Sequence, residues 1–434
     1  MCSPSQDPIE SSIQASFSTI APHSTLMYAL PIRRVRDVLG QLVPSASLES
    51  VHEIPSTRLA RLYTLNLSGP RQLLLSFSPS LAVRLLRHEQ TLLLSEAALV
   101  YFLNDLASSA AIPSSSLEQA GEDPSLAWLI PRMLRHSSNT REIGYPYTIF
   151  EHPIGSPLSS QSIYLTLPER RHIDGQIGKL VRELALITSP SRTFGAALRV
   201  YGDPFTQTAG QAPLSSSSAS DAGGRGSATW TSAFNSSVEG ILRDGEDMSV
   251  LLPYDVIRRH FSRLSWRLEA VITPRLVVLD VGCETNVMIE RRLEDGPLPP
   301  QDSVKITGLR DWSQGIFGDP LMAGCFEDPS EAFLAAWSAG YDESLIEGQD
   351  GAETRMLLYR CYRALVDVVT EYYRPRPDSS RKELDARRRL TAVLTDLEKA
   401  DLEQSETPKR SRRSSVAGED MIVTKKIKME NEDV

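Results

Sequence analysis

The sequence that decides the fold reads LVVLDVGCETNVMIE over residues 276–290 and KITGLRDWSQGIFGDPL over residues 305–321. In each half an apolar strand pattern runs into a polar loop and then resumes as a second strand. The first loop contains Asn286 and the second contains Asp311. Amide and carboxylate oxygens that converge from strand ends are typical ligands of a hard cation. The pattern therefore predicts that Asn286 and Asp311 converge on a divalent cation, an arrangement that phosphoryl transfer uses to hold Mg²⁺ on nucleotide phosphates.

Three matches to a known family follow in order along this stretch. Asn286, Asp311-Trp312 and Gly318-Asp319-Pro320 match the catalytic-loop Asn, the metal-binding Asp-Trp and the closing turn of aminoglycoside phosphotransferase-like kinases. The chain thus resembles that family, in its fungal branch, from about residue 25 to about residue 375. The resemblance implies an α+β, bilobed protein-kinase-like fold with a small antiparallel-sheet N-lobe and a mainly helical C-lobe. It also implies ATP and Mg²⁺ as cofactors.

The catalytic loop departs from the family pattern at its acidic residue. Val281 stands where the catalytic Asp is expected, and Asp280 lies one position away. On a regular strand adjacent residues point to opposite faces, but a bulge at Gly282 would bring Asp280 back to the site. Asp280 is therefore the candidate base that orients the acceptor hydroxyl, and the alternative is a strand-end Asp that caps a neighbouring amide.

The residues expected to bind the nucleotide depart further from the family pattern. Ser76, on the strand predicted over residues 72–77, stands where the family carries the lysine that grips the phosphates, so an ion pair between that lysine and Glu96 cannot form. The phosphate loop expected at residues 53–63 contains no glycine, which makes a close approach of backbone N–H groups to phosphates difficult. Glu96 and Glu151 (the latter in a hinge-like segment) remain candidate nucleotide-site residues, together with Asn286.

Simpler readings stay open for several of these residues. Asn286 could serve only to bridge its loop, and a helix-borne Glu such as Glu96 could be merely solvated. Asp319 is predicted to hold its own loop through backbone hydrogen bonds. Cys283 is predicted to be a filler residue, since no His lies nearby in sequence to activate a thiol.

Composition limits the class of protein. The 434 residues are 41% hydrophobic and 23% charged, typical of a globular chain, and the net charge of −9 makes a nucleic-acid partner unlikely. The four cysteines show no disulfide or zinc spacing, which favours a reducing compartment. The N-terminal sequence lacks a secretory pattern, and no apolar run is long enough to cross a membrane. We therefore expect a cytoplasmic or nuclear protein that is not secreted.

The predicted organisation follows composition and periodicity. The segments are a disordered tail (1–28), an N-lobe (29–152), a C-lobe (153–375) with a flexible Ser/Gly-rich insertion (203–229), a charged helical segment (376–403) and a disordered basic tail (404–434). Helices are predicted at residues 31–42, 81–106, 168–187, 230–242, 254–271, 330–341, 352–373 and 380–403, and strands at residues 59–67, 72–77, 128–133 and 147–150.

The last thirty residues carry a different signal. The basic cluster at residues 408–413 and the lysines at 425, 426 and 428 resemble nuclear import signals, which makes importin a candidate partner. The simpler interpretation is a solvated charged tail.

Two functions remain from the sequence. The favoured hypothesis is a catalytically degenerate kinase-like protein that acts as a binding or regulatory module toward a protein partner. The alternative is an active ATP/Mg²⁺-dependent phosphotransferase that acts on a small-molecule hydroxyl.

Overall fold

The computed structural model describes residues 30–54, 59–109, 126–205, 226–292, 303–339 and 344–406. The predicted N-terminal tail and most of the predicted insertion and basic tail lie outside these ranges. None of the described helices combines the length and apolar character needed to cross a bilayer.

The N-terminal part is a five-stranded antiparallel sheet with strand order β1-β2-β3-β5-β4. Its elements are α1 (Ile32–Leu42), β1 (Leu48–Ile54), β2 (Arg61–Leu67), β3 (Gln72–Phe77), α2 (Leu92–Ser108), α3 (Leu126–Leu129), β4 (Met133–Ser137) and β5 (Tyr147–Glu151).

Buried apolar side chains lie on both faces of the sheet, and those of each face belong to a different core. Leu73, Leu75 and Phe77 of β3 belong to the core cluster that α1 completes. Leu74, between them, belongs to the larger core that extends through α2 into the helical remainder. Successive side chains of a strand alternate in direction, so Ser76 shares the face of Leu74. The position of the expected lysine therefore faces the rest of the chain.

The remainder is mainly helical. Its helices are α4 (Leu158–Gln161), α5 (Leu167–Leu186), α6 (Ala197–Tyr201), α7 (Trp230–Asp247), α8 (Tyr254–Leu264), α9 (Glu331–Ser338), α10 (Ala352–Tyr373) and α11 (Ser379–Glu406). Its short strands are β6 (Ser156–Pro157), β7 (Gly195–Ala196), β8 (Arg275–Val278), β9 (Val287–Arg291), β10 (Val304–Leu309) and β11 (Gly315–Gly318). An antiparallel N-terminal sheet followed by a mainly helical remainder confirms the predicted α+β fold class.

Two short sheets position the loops of interest. Val287 of β9 pairs with Leu309 of β10, and Val278 of β8 pairs with Gly315 of β11. The loop that leaves β8 and enters β9 must therefore lie beside the loop that leaves β10 and enters β11. The loop containing Asn286 and the loop containing Asp311 are brought together in this way.

Two secondary-structure predictions are wrong. The helix predicted from residue 81 starts only at α2, after a 3₁₀ turn over Arg87–Thr91, because the Glu89 carboxylate turns back and accepts the Leu86 N–H at 2.8 Å. The strand predicted at residues 128–133 is instead the last turn of α3 followed by the start of β4. Pro131 separates them, because it disfavours helix before it and cannot donate to a strand ladder.

Candidate functional site

Asn286 and Asp311 meet through a pair of hydrogen bonds. The Asn286 side chain donates from Nδ2 to the Asp311 carbonyl at 3.0 Å, and its Oδ1 accepts the Asp311 N–H at 2.9 Å. The Arg310 N–H also donates to the Asn286 carbonyl at 2.9 Å. Both ends of the amide are thus engaged by one backbone unit, which fixes the orientation of the amide. Asn286 is completely buried in this position.

A tight turn after β8 decides which acidic neighbour reaches the site. The Asp280 carbonyl accepts the Cys283 N–H at 2.9 Å, and the Cys283 carbonyl accepts the Asn286 N–H at 2.7 Å. Within this turn Val281 is only 1% exposed and belongs to the core, whereas Asp280 is half-buried. Asp280 Oδ1 lies 3.4 Å from Asn286 Nδ2. Asp280, rather than Val281, therefore faces the predicted metal residues.

The loop after β10 is tied to helix α2. Asp311 Oδ1 accepts the Ser313 N–H at 2.7 Å, and Glu96 Oε1 accepts the Trp312 N–H at 3.0 Å. Glu96 and Asp311 are each only 4% exposed. The structure thus brings Glu96, Asp280, Asn286 and Asp311 into one neighbourhood. Glu96 contacts this neighbourhood through the hydrogen bond that it accepts from the Trp312 N–H.

The sheet face that carries Ser76 is buried around that residue. Ser76 is 1% exposed and pairs with Leu62 on one side and Thr148 on the other. Its hydroxyl has no hydrogen-bond partner within the described part of the chain. Leu74 and Phe150, paired across β3 and β5 on the same face, are each 2% exposed. Around Ser76, the described residues of this face therefore present neither a positive charge nor an open apolar slot.

Glu151 lies apart from the cluster. Its carboxylate pairs with Arg71 at 2.8 Å and with Arg132 at 3.7 Å, and the three side chains are 40% to 72% exposed. Exposed ion pairs of this kind contribute about 0–1 kcal/mol. The N–H groups of Glu151 and His152 donate to the carbonyls of Arg132 and Gln72, at 2.9 and 3.3 Å. The backbone donors of the predicted hinge are therefore engaged within the sheet.

Asp319 anchors the turn that follows β11. Its Oδ1 accepts the Leu321 N–H at 3.1 Å, and its Oδ2 accepts from Arg355 Nε and from the Tyr359 hydroxyl, both at 2.7 Å. Trp230 Nε1 donates to the same hydroxyl at 2.7 Å. Asp319 therefore links its loop to α7 and α10, and its contacts include the backbone hydrogen bond that the sequence predicts.

The two cysteines near the loops differ in their exposure. Cys325 packs against Gly282, and burial raises the pKa of the Cys325 thiol to about 12. Cys283 is exposed, with Sγ 3.1 Å from the Thr285 hydroxyl. A thiol needs a lowered pKa to act as a nucleophile at neutral pH. Cys325 therefore cannot serve as one.

Sequence reasoning missed a cavity of about 540 Å³ beside these loops. Its wall includes Glu96 and Asp311, and it also includes Glu89 and Arg374, which form two hydrogen bonds of 2.6 and 2.8 Å. Glu89 and Arg374 are 285 residues apart. No local pattern could have signalled that they meet.

No metal cluster of the usual kind is evident at the site. Among the residues that the structure describes, no three Asp, Glu, His or Cys side chains come together in a group that could hold a metal ion. Any metal here would depend on Asp311 and Asn286, whose oxygens already accept hydrogen bonds from the protein backbone.

Similarity to known proteins is found among solved structures. No family model matches the chain, and no curated protein matches it in sequence. Solved structures do match over most of the chain. A thermostable mutant of aminoglycoside phosphotransferase APH(4)-Ia, in ternary complex with AMP-PNP and hygromycin B, is 16% identical over 83% of this chain and 98% of its own, with a TM-score of 0.49.

Two further matches are of the same kind. The gentamicin complex of APH(2")-IIa is 12% identical over 84% of this chain and 94% of its own, with a TM-score of 0.45. Macrolide 2'-phosphotransferase MphH from Brachybacterium faecium is 12% identical over 83% of this chain and 97% of its own, with a TM-score of 0.41.

Proposed function

We propose that this chain is an aminoglycoside phosphotransferase-like protein of kinase fold that has lost its nucleotide-binding end and acts as a binding or regulatory module. The observation that carries the proposal is Ser76, a neutral, buried side chain on the strand face that it shares with Leu74, which packs in the same core as residues of α2. A neutral side chain at this position supplies no charge to hold a nucleotide triphosphate.

The missing cation has a large effect in energetic terms. Phosphoryl transfer depends almost wholly on positioning and on stabilising charge at the phosphates. Loss of one preorganised electrostatic contact of this kind costs about 3–4 kcal/mol of transition-state stabilisation. A serine hydroxyl cannot offset that loss, because it is neutral.

The engagement of Asn286 supports the same conclusion. A metal-binding Asn must present Oδ1 to the cation, whereas Asn286 Oδ1 accepts the Asp311 N–H and its Nδ2 donates to the Asp311 carbonyl. Two buried hydrogen bonds would weaken if the amide turned toward a metal ion. The amide instead serves to hold one loop against the other.

The alternative function is an active ATP/Mg²⁺-dependent phosphotransferase. It is favoured by one observation, the meeting of Asp280, Asn286 and Asp311 within hydrogen-bond range. In that case Asn286 and Asp311 would hold Mg²⁺, which would neutralise charge on the phosphates, and Asp280 would orient a small-molecule hydroxyl.

A thermal-shift measurement with ATP and Mg²⁺ separates the two functions. The proposed module predicts no change in the unfolding temperature at millimolar nucleotide. A stabilisation that requires both ligands, that disappears in Asp311→Ala and that persists in the exposed-carboxylate control Asp385→Asn would overturn the proposal in favour of the enzyme.

A second part of the proposal concerns the localisation of the protein in the cell and rests on the basic tail. We propose that the cluster at residues 408–413 recruits importin and directs the module to the nucleus. A fluorescent fusion should accumulate in nuclei, and deletion of residues 407–434 should distribute it evenly. Equal nuclear signal with and without the tail would exclude this role.

A further inference from the structure

Helix α11 is held to the rest of the chain by few buried side chains. It is 28 residues long. Among residues 379–402, whose side chains the structure describes, the buried ones are Ala386, Leu390, Leu397 and Asp401. We call its second half, residues 390–402, the strap. The position of the strap therefore depends on a small number of contacts.

Two polar pairs join the strap to helix α8. His260 Nε2 lies 3.3 Å from Glu398 Oε2, and Arg263 Nη1 lies 3.0 Å from Asp401 Oδ2. The partners are three residues apart on each helix, and residues at that spacing are neighbours on a helix surface. The two pairs therefore lie side by side and form one clasp between α8 and the strap.

His260 lies among core residues of α8. Ile257 and Leu264, three residues before it and four residues after it, are 0% exposed and belong to the main core. Residues at this spacing share one face of a helix. His260 is itself 1% exposed. A titratable ring therefore stands in the apolar face of α8.

Protonation of this ring creates a buried polar hydrogen without an acceptor. Because Nε2 of His260 faces the Glu398 carboxylate, Nδ1 is the nitrogen that takes up the second proton. Nδ1 is buried, and it has no hydrogen-bond partner among the described residues. A buried N–H without an acceptor is costly. The protonated ring is therefore poorly accommodated while the strap is docked.

The charges around the ring do not reverse this preference. Burial lowers the pKa of His260 and is the largest influence on it. Glu398 and Asp401 of the strap raise this pKa, whereas Arg259 and Arg263 of α8 lower it. Glu398 is 53% exposed, so solvent screens its charge. The docked strap therefore favours the neutral ring.

We infer that the strap is a pH-sensitive device, docked on α8 while His260 is neutral and released when His260 takes up a proton. Release would uncover the face of α8 around His260 and free the segment that precedes the basic tail. A group whose pKa is lowered by docking favours the docked state above its ordinary pKa of about 6.5, and this contribution is lost as the pH falls. The device lies in α8 and α11 and requires no assumption about nucleotide binding.

Hydrogen exchange of the backbone amides, followed by mass spectrometry on the full chain, tests this device. Exchange in residues 390–402 is measured at pH 7.5 and at pH 5.5, and it is corrected for the intrinsic pH dependence of amide exchange. The equilibrium constant for opening of the strap should be about three- to tenfold larger at pH 5.5, since one pH unit changes it by at most tenfold per proton.

Substitution of His260 tests the cause. His260→Gln keeps a donor for Glu398, His260→Leu suits the apolar face of α8, and neither new side chain titrates. In both variants the strap should open equally at the two pH values. His52→Gln, at an exposed position of β1, is the matched control and should keep the pH dependence of the parent.

Three outcomes contradict the device. They are equal opening at pH 7.5 and pH 5.5 in the parent, pH-dependent opening that persists in either His260 variant, and a strap that is already unprotected at pH 7.5 in the parent. Opening that depends on pH only in the chains that retain His260 supports it.

Discussion

Replacing Arg355 with Met is expected to destabilise the fold more than any surface substitution in the chain. The Arg355 guanidinium is 0% exposed and pairs with Asp319, which is 1% exposed. It also donates to the carbonyls of Gly348 and Glu347 at 2.9 and 2.6 Å. Met fills a similar volume but donates nothing, so a buried carboxylate and two carbonyls would each lose a donor.

The size of the expected loss of stability follows from the burial of the Arg355–Asp319 ion pair. Breaking a buried ion pair by removing one partner costs about 3–5 kcal/mol, because the remaining charge stays desolvated. Two carbonyls without donors add to that cost. The total is a large fraction of the about 5–15 kcal/mol by which a domain is stable. The Tyr359 hydroxyl still donates to Asp319 and offsets part of it.

A matched control isolates the effect of burial. Arg388 pairs with Asp385 at 3.1 Å, but the two side chains are 69% and 54% exposed. Arg388→Met should therefore cost about 0–1 kcal/mol. Urea denaturation followed by tryptophan fluorescence gives the free energy of unfolding of each variant. Equal losses for Arg355→Met and Arg388→Met would refute the reasoning from burial.

A second variant checks the cause. Arg355→Met combined with Asp319→Asn removes both charges, so no unpaired carboxylate remains. The double variant should lose less stability than the sum of the two single variants, by about 1–3 kcal/mol. Strict additivity would show that the pair does not interact in the folded protein.

Three further outcomes are expected. Asn286→Ala should cost about 2–3 kcal/mol in urea denaturation, since it leaves the N–H and C=O of Asp311 without their side-chain partner, and a loss under 0.5 kcal/mol would contradict the bridging role. Burial lowers the pKa of His136 to about 4. Between pH 6.5 and 4 the unfolded chain therefore binds a proton that the folded chain does not. The free energy of unfolding should thus decrease as the pH is lowered from 6.5 to 4, by up to about 1.4 kcal/mol per pH unit. The free energy of unfolding of His136→Gln should lack this contribution to its pH dependence. Identical pH dependences in the parent and the variant would exclude a contribution from His136. Gly155 has φ +94°, and a Cβ there would lie 2.1 Å from a backbone oxygen of β9, whereas Gly240 of α7 has open space around it. Gly155→Ala should destabilise by more than about 1 kcal/mol and Gly240→Ala should stabilise by about 0.5–1 kcal/mol, and unfolding temperatures that shift in the same direction would contradict this contrast.

Elements with a regular period could be predicted from sequence alone. The prediction for residues 352–373 matches α10, and the prediction for residues 72–77 matches β3. Their apolar spacing is a local property, and it is also the property that packing uses. The prediction of a helix from residue 81 was wrong at its start. The apolar spacing begins before Glu89, but the chain forms a capped 3₁₀ turn there and the helix begins only after it. Capping of this kind depends on where the rest of the molecule holds that turn.

The roles predicted for the site residues stay predictions, yet their placement shows what each level of structure decides. The sequence by itself determined that an Asn and an Asp follow strands whose pairing brings their loops together, and that a serine replaces a charged residue on β3. Only the tertiary structure decided that Asp280 rather than Val281 faces the site, since a tight turn sends one side chain into the core and the other out. Only the tertiary structure, likewise, set Glu89 against Arg374 across the chain and formed the cavity that both residues line. The apolar pattern of a strand and the residue types of a loop are local properties of the sequence, whereas a cavity wall depends on contacts between residues that are hundreds of positions apart.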